Sequence, residues 1–291
     1  DLAAGASGEV PFLPYKEHPA FDRLAEDLLA VLELNLPDQD AFEFLSPLIA
    51  FHVALYQVET ARAWTGKSGG ASLICEIVAP RSDQVRRASL ASYTENQSEG
   101  FLALEKAAGM QLSQPHIESI MTTEGISDVD RASEVLQLIS DANKKDYFLW
   151  DADERTFSHF DDLKKGFLAA ARAGYQAHAG KVHHVLGRES GLVSKRGTRS
   201  YRYAPTDAFL RMLTVTNVTE REELNVFLEK LHDRYGIVID HEHASRVLDD
   251  SLNNHNAFRR NLDRLRQRLL NMGLARQMSD GCTYVENPLY G

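Results

Sequence analysis

Residues 254–273 read NHNAFRRNLDRLRQRLLNMG, and this stretch decides how the C-terminal part of the chain is interpreted. Its apolar side chains recur at intervals of three and four residues, which is the spacing of one helix face. The apolar stripe consists of Phe258, Leu262, Leu265 and Leu269. At about 100° per residue, a polar set falls on the opposite face: Asn256, Arg260, Arg264 and Gln267. The stretch therefore predicts a helix that packs on one side and presents amide and guanidinium groups on the other.

The segments around this helix carry cap and turn signals. Residues 219–222 read TERE, the pattern of a capping box, and predict a helix that runs to Tyr235. A short β-type run follows at 237–239, and Asp240 is the predicted cap of a brief helix. Beyond the long helix, the turn at 279–281 lies between two strand-like runs and predicts a hairpin. The predicted order is helix, strand, helix, helix, hairpin.

This order resembles the winged helix–turn–helix domain of bacterial regulators and restriction-type proteins, over residues 219–287. The resemblance implies that the long helix enters the major groove of double-stranded DNA. Arg pairs there with guanine, and Asn or Gln with adenine. We therefore expect five residues to contact DNA: Asn256, Arg259, Arg260, Arg264 and Gln267. Two alternatives stay open, namely that the arginines only keep an exposed helix soluble, with Asp263 pairing locally, or that the domain binds protein.

A second basic element precedes this region. The pattern predicts a long helix over 167–186 and then a hairpin over 192–203. Its basic side chains are Lys195, Arg196, Arg199 and Arg202. We expect Lys195, Arg196 and Arg199 to hold DNA phosphates as a second wing, and the two tyrosines of the hairpin to cover the core. The alternative is a solvated hairpin without a ligand.

Charge is distributed unevenly along the 291 residues. The chain carries 32 Lys and Arg against 42 Asp and Glu, a net charge of −10. Residues 166–291 hold 18 basic and 14 acidic side chains, a balance of +4, which leaves −14 for residues 1–165. Such asymmetry indicates a part that faces nucleic acid beside a part that does not. The alternative is random variation of charged residues on a solvated surface. We predict an acidic helical domain over 1–165, a long helix with the basic hairpin over 166–205, and a winged-helix domain over 206–291.

Composition bounds the class of protein. Hydrophobic residues make up 43% and charged residues 25%, which excludes a disordered chain, a collagen-like repeat and a disulfide scaffold. Cys75 and Cys282 form no CxxC pair, which favours a reduced, cytoplasmic setting. No uninterrupted apolar run reaches the roughly 20 residues of a bilayer span, so we expect no membrane contact. The first residue is Asp1 rather than Met, which indicates a piece of a longer protein. Residues 1–14 are predicted as a loose arm, and 147–150 as a strand or core plug.

No catalytic motif is complete in the sequence. Residues 66–68 read GKS but lack the upstream glycine of a phosphate-binding loop, since position 61 is Ala61. Residues 241–243 read HEH and offer ligands for zinc or manganese. Two histidines two apart on a helix face different ways, so we expect a capping or surface role for them. Arg172 and His178, on one predicted helix, are similar to the Arg…His element of HEPN ribonucleases, which implies RNA cleavage as an alternative function.

The sequence thus predicts a mainly α-helical, cytoplasmic, bacterial protein with an N-terminal helical domain and a winged-helix C-terminal region. The combination is similar to accessory subunits of bacterial DNA-defence systems, which implies a non-catalytic subunit in an antiviral complex. The expected partners are double-stranded DNA and other protein subunits or a second copy of the chain. We assign no catalytic residue, cofactor or metal ligand. A scaffold that binds only protein is the alternative of a different class.

Overall fold

The structure, a computed structural model, describes residues 18–67, 69–77, 84–146, 157–196, 199–249, 252–279 and 281–290. The predicted arm at 1–14 and the aromatic run at 147–150 lie outside these residues. The described chain is mainly helical, as the sequence predicts. The first helices are α1 (Pro19–Leu32), α2 (Asp38–Thr65), α3 (Gln84–Leu112), α4 (Pro115–Thr122) and α5 (Asp128–Asp146). The later ones are α6 (Phe160–Ala177), α7 (Val182–Glu189), α8 (Asp207–Asn217), α9 (Leu224–Tyr235), α10 (His241–Val247) and α11 (His255–Asn271).

Short strands within the same ranges form three small sheets. In the first, β1 (Leu73–Ile74) pairs in parallel with β5 (Ile237–Val238). In the second, β2 (Val193–Ser194) pairs antiparallel with β3 (Arg202–Tyr203), which confirms the hairpin over 192–203. The third is antiparallel and joins β4 (Arg221–Glu223), β7 (Thr283–Glu286) and β6 (Ala275–Gln277) in that order. The predicted hairpin around 279–281 is therefore confirmed as β6 and β7.

Helix α2 carries many apolar residues and contributes several of them to the main core. Its buried residues include Phe44, Leu48 and Phe51, and the Phe51 ring lies edge-on to Phe209 at 5.1 Å and to Tyr235 at 5.3 Å. By length and composition α2 also satisfies the criteria for a membrane span, alone among the described helices, with 44% of its apolar window buried. Core helices of soluble proteins commonly satisfy the same criteria.

The largest hydrophobic cluster combines residues from early and late parts of the chain. It extends in sequence from Val31 to Val285 and includes Tyr203 from the basic hairpin. The three predicted segments, 1–165, 166–205 and 206–291, all contribute to this cluster. A second cluster joins α3 to α6 around Ile117 and Phe167. The helices of the acidic part and the C-terminal elements thus share one apolar interior.

The prediction of one helix over 167–186 is wrong, because the structure divides this stretch into α6 and α7. The break lies at His178, whose φ of −123° and ψ of −89° are outside the helical region. A short 3₁₀ turn then leads into α7. Gly180 allows the chain to turn back closely, since a Cβ there would lie 3.0 Å from the Tyr175 carbonyl oxygen. Helical periodicity continues through the turn, and for that reason the pattern did not reveal it.

The predicted capping box at 219–222 is also wrong. Its second half, Arg221 and Glu222, belongs to strand β4 instead of a first helical turn, and α9 begins at Leu224 without a side-chain cap. Pairing with β7 explains the difference, because Arg221 lies opposite Glu286 and its guanidinium stacks 5.1 Å from the ring centre of Tyr284. The end of α9 at Gly236, with φ of +69°, agrees with the sequence.

Candidate nucleic-acid interface

The outer face of α11 carries the residues that the sequence assigns to DNA contact. Asn254 caps the helix, since its Oδ1 accepts a hydrogen bond from the Ala257 N–H at 2.9 Å. All five predicted residues are exposed: Asn256, Arg259, Arg260, Arg264 and Gln267. The structure therefore brings them together on one solvent-facing side of the helix. Their contact with DNA stays a prediction.

The inner face of α11 is apolar, as predicted. Phe258, Leu265 and Leu269 are buried, and Leu262 is half-buried. Phe258 packs with Val238 of β5 in a separate small cluster that also includes the start of α3. These contacts fix which side of α11 points to solvent.

Asn261 is a buried member of the inner face that the apolar pattern did not identify. Its Nδ2 donates hydrogen bonds to the carbonyl oxygens of Cys75 at 2.9 Å and Ile239 at 2.8 Å. Its Oδ1 accepts one from the Ile77 N–H at 2.8 Å. Because the three partners follow β1 and β5, this side chain fastens α11 to both strands. In the sequence, this contact is indicated only by a polar residue, Asn261, next to the apolar residues of the stripe.

Neighbouring side chains orient some of the arginines on α11. The Arg264 Nη1 donates to the Gln267 Oε1 at 3.0 Å, so two of the predicted residues contact each other. Arg266 and Asp263 form an ion pair at 3.1 Å, the local pairing expected in the solvated-helix alternative. Arg264 and Gln267 are thus positioned side by side on the exposed face.

Arg268 has a structural role at the end of α11. Its guanidinium forms an ion pair with Asp207 at 2.5 Å, and its Nη2 donates to the Pro205 carbonyl oxygen at 3.1 Å. Pro205 and Asp207 connect the basic hairpin to α8, so this arginine ties the end of α11 to the base of the hairpin. Arg268 therefore connects α11 directly to the residues that follow the basic hairpin.

The tip of the hairpin presents basic side chains to solvent. Lys195, Arg196 and Arg199 are all exposed, and the Lys195 Nζ lies 5.1 Å from the ring centre of Tyr201. The Tyr201 ring stacks on His184 at 5.1 Å. Burial, followed by the charges of Arg188, Lys181 and Lys195, lowers the pKa of His184. Phosphate contact by this surface stays a prediction.

Arg202, the fourth basic residue of the hairpin, is not on this surface. It is buried and pairs with one carboxylate oxygen of Glu76, while the Arg86 Nε donates to the other oxygen at 2.7 Å. All three residues are less than a tenth exposed. Both residues of β3 are buried, and Arg202 lies opposite Ser194 in the pairing with β2. The buried cluster attaches the hairpin to the residues that follow β1.

A buried histidine supports the base of the hairpin. The His183 Nε2 lies 3.0 Å from the Tyr203 hydroxyl, and its ring stacks on Tyr93 at 4.7 Å. Burial, with a smaller contribution from His184, lowers the pKa of His183 to about 4. The imidazole is therefore neutral near pH 7, and Tyr203 is buried as the sequence predicts.

The two residues of the ribonuclease alternative do not share a helix. Arg172 lies on α6 and forms an ion pair with Glu105 of α3. His178 is exposed and lies beyond the last residue of α6. The helical repeat that relates an Arg and a His on one face therefore does not apply to this pair.

The histidines at 241–243 face different ways, as the sequence predicts. The His241 ring contacts His255 at 4.6 Å, whereas His243 is buried against α9. One potential ligand atom each from Glu229, His232 and His243 lies within 4.8 Å of the other two. Among the residues that the structure describes, these three form a group able to hold a metal ion. The sequence analysis missed this set because Glu229 and His232 belong to the preceding helix.

Comparison with known proteins gives one family. The model of the family described as methylation-associated defense system protein MAD7 matches residues 114–285, which is more than half of the chain and includes the basic hairpin and α11. No curated protein and no solved structure matches the chain.

Proposed function

Because the chain belongs to the family of the methylation-associated defense system protein MAD7, we propose that it is a non-catalytic, DNA-binding subunit of such a system. The observation that carries this proposal is the outer face of α11, where the five predicted residues are exposed together. The family match spans both this face and the basic hairpin. A surface of this kind suits a duplex, because guanidinium groups meet phosphates and base edges with the same donors.

The arrangement around α11 supports a winged-helix interpretation. The order α8, β4, α9, β5, α10, α11, β6, β7 places the long helix directly before a hairpin, and β4 pairs with β7 on the outer side of that hairpin. In this interpretation α11 is the recognition helix and the β6–β7 hairpin is the wing. The domain then starts at α8, earlier than the resemblance over 219–287 implies.

The basic hairpin over 192–203 contributes a second contact in this proposal. Its exposed residues are Lys195, Arg196 and Arg199, next to Lys181 and Arg188 of the preceding turn and helix. Such a cluster attracts phosphates irrespective of sequence, whereas the face of α11 supplies preference. The acidic helices of residues 1–165, with a balance of −14, repel DNA and are the part that contacts other protein subunits or a second copy.

The test is binding of the full chain to a fluorescein-labelled, mixed-sequence duplex, followed by anisotropy at low and then moderate salt. We expect binding that weakens as salt rises, with a slope of about −0.9 per phosphate contact in a double-logarithmic plot. Arg260→Ala combined with Arg264→Ala should lower affinity by at least about 10-fold at low salt. If both arginines contact phosphates, the salt slope should become shallower by about 1.8.

The matched control removes two other exposed cations, through Lys106→Ala combined with Lys165→Ala on α3 and α6. This pair changes the net charge by the same amount but leaves α11 and the hairpin intact. An equal loss of DNA affinity in both double variants would show that the loss follows from net charge alone. That result would overturn the assignment of α11 as the DNA-contacting helix. Absence of any binding at low salt would overturn DNA binding itself and leave the arginines as a protein-facing or solvated surface.

A further inference from the structure

Three potential metal ligands converge where α10 packs against α9. Glu229 and His232 lie one helical turn apart on α9, and His243 reaches them from α10. We propose that these three residues bind one divalent transition-metal ion of the Zn²⁺ type. Two imidazoles and one carboxylate form a ligand set that Zn²⁺ uses in proteins. The proposal is independent of DNA binding, since none of the three residues lies on the outer face of α11.

The ligand atoms are close to the spacing that a metal requires. The Glu229 Oε2 lies 2.9 Å from the His243 Nε2, and the ring centres of His232 and His243 are 4.8 Å apart. Bonds of about 2.0–2.1 Å to zinc place tetrahedral ligand atoms roughly 3.4 Å apart. The widest ligand separation, 4.8 Å, therefore has to close by roughly an ångström and a half. Because the side chains of Glu229 and His232 are half-buried whereas His243 is buried, we expect Glu229 and His232 to supply this movement.

Carboxylates outside the set orient both imidazoles. The His243 Nδ1 lies 2.8 Å from the Asp240 Oδ1, and the His232 Nδ1 lies 3.2 Å from the Asp233 Oδ1. A carboxylate that accepts the Nδ1–H leaves the lone pair on Nε2 for a metal and makes the imidazole a stronger ligand. Both histidines thus have the second interaction that metal-binding histidines typically have.

Arg246 leaves one oxygen of Glu229 for the ion. Its Nη1 donates to the Glu229 Oε1 at 2.8 Å, and the contact of its Nη2 with Oε2 is longer, at 3.2 Å. A metal on Oε2 therefore replaces the weaker contact and retains the stronger one. His232 and Arg246 border a polar cleft of about 550 Å³, through which an ion enters and from which water completes the coordination.

The bound ion would fasten α10 to α9. Helix α9 supplies two ligands and α10 supplies one, so coordination bridges the segment between them that contains β5. An ion that binds the folded chain and not the unfolded chain raises the melting temperature in proportion to the logarithm of its concentration above the dissociation constant. The metal is therefore expected to act on the stability of this part of the chain.

The test is calorimetric titration of Zn²⁺ into the full chain after treatment with a chelator and dialysis. We expect one tight site per chain, the same site occupied by Co²⁺, and no comparable binding of Mg²⁺. His232→Gln and Glu229→Gln should each weaken Zn²⁺ binding by more than about 100-fold, since each removes a direct ligand. Asp240→Asn retains a hydrogen-bond acceptor at the cap of α10 but removes the carboxylate charge next to the His243 Nδ1. This change should weaken Zn²⁺ binding by about 10–100-fold.

The matched control is His241→Gln, which removes a histidine of α10 outside the set and should leave Zn²⁺ affinity unchanged. Thermal melts in chelator show whether each variant folds, and Zn²⁺ should raise the melting temperature of the wild type but not of His232→Gln. Absence of a tight site in the wild type would overturn the proposal. So would an affinity that is unchanged in both His232→Gln and Glu229→Gln, or one that is lost equally in His241→Gln.

Discussion

Replacement of Asn261 by alanine tests how α11 is held in place. The change removes a buried side chain that makes three hydrogen bonds to backbone groups of residues 75, 77 and 239. Asn261 is fully buried in the structure, so water does not compensate for the lost bonds without a rearrangement. Helix propensity alone would favour alanine, so a large loss of stability is specific to these contacts.

The magnitude follows from the three bonds. Each net hydrogen bond contributes about 1 kcal/mol, and a buried backbone group that loses its partner adds a desolvation cost of about 1–3 kcal/mol. Partial relaxation and water entry reduce the sum, and we expect the free energy of unfolding to fall by about 3–5 kcal/mol. That is a large share of the 5–15 kcal/mol typical of a folded protein.

Urea unfolding followed by circular dichroism measures this loss directly. The control is Asn271→Ala, which changes an exposed asparagine at the last turn of the same helix and should alter stability by less than about 0.5 kcal/mol. A loss below about 1 kcal/mol in Asn261→Ala, or equal losses in the two variants, would refute the reasoning that Asn261 anchors α11.

Three other perturbations are measured by the same unfolding assay. Glu76→Gln leaves two buried guanidinium groups without their shared carboxylate, and we expect a loss of about 3–5 kcal/mol; a loss near zero would contradict a role for the pairing. Gly236→Ala should lower the free energy of unfolding by several kcal/mol more than Gly273→Ala. Both glycines have positive φ, but of the two only Gly236 would place a new Cβ against backbone, 1.6 Å from the Ala71 carbonyl oxygen. Equal losses in the two variants would contradict the clash. The free energy of unfolding should fall as pH drops from about 6.5 to about 4. In this range the His183 imidazole binds a proton in the unfolded chain but not in the folded chain. His183→Gln should remove up to about 3 kcal/mol of that decline, and pH profiles of equal slope would rule out this histidine as the cause.

Local patterns predicted the elements whose signals lie within a few residues. The stripe of α11, the cap at Asp240 and the hairpin of β6 and β7 all depend on neighbouring residues. The same holds for the exposed set on α11, because a helical period places residues on opposite faces whatever their partners are. These predictions required no knowledge of tertiary contacts.

The break at His178 in the helix predicted over 167–186 is local, but the other predictions that failed depend on distant partners. The segment at 219–222 has a good capping pattern, but pairing with β7 supplies more hydrogen bonds than a cap would. Arg202 reads as one more cation on a basic hairpin, and only its contact with Glu76, 126 residues earlier, makes it a buried structural residue. The ligand set on α9 and α10 is missed for a related reason, since its members converge only after the two helices pack.

The residues that follow β1 join these observations. β1 pairs with β5, the backbone at Cys75 and Ile77 binds Asn261, and the Glu76 carboxylate lies between Arg86 and Arg202. The stretch 73–77, made of β1 and the three residues after it, therefore contacts both elements of the proposed DNA interface, α11 through Asn261 and the basic hairpin through Arg202. A fragment limited to residues 206–291 lacks the partners of Asn261 in this stretch as well as the hairpin itself. The orientation of the arginine face thus depends on sequence far outside the C-terminal region, and DNA affinity is a property to be measured on the whole chain.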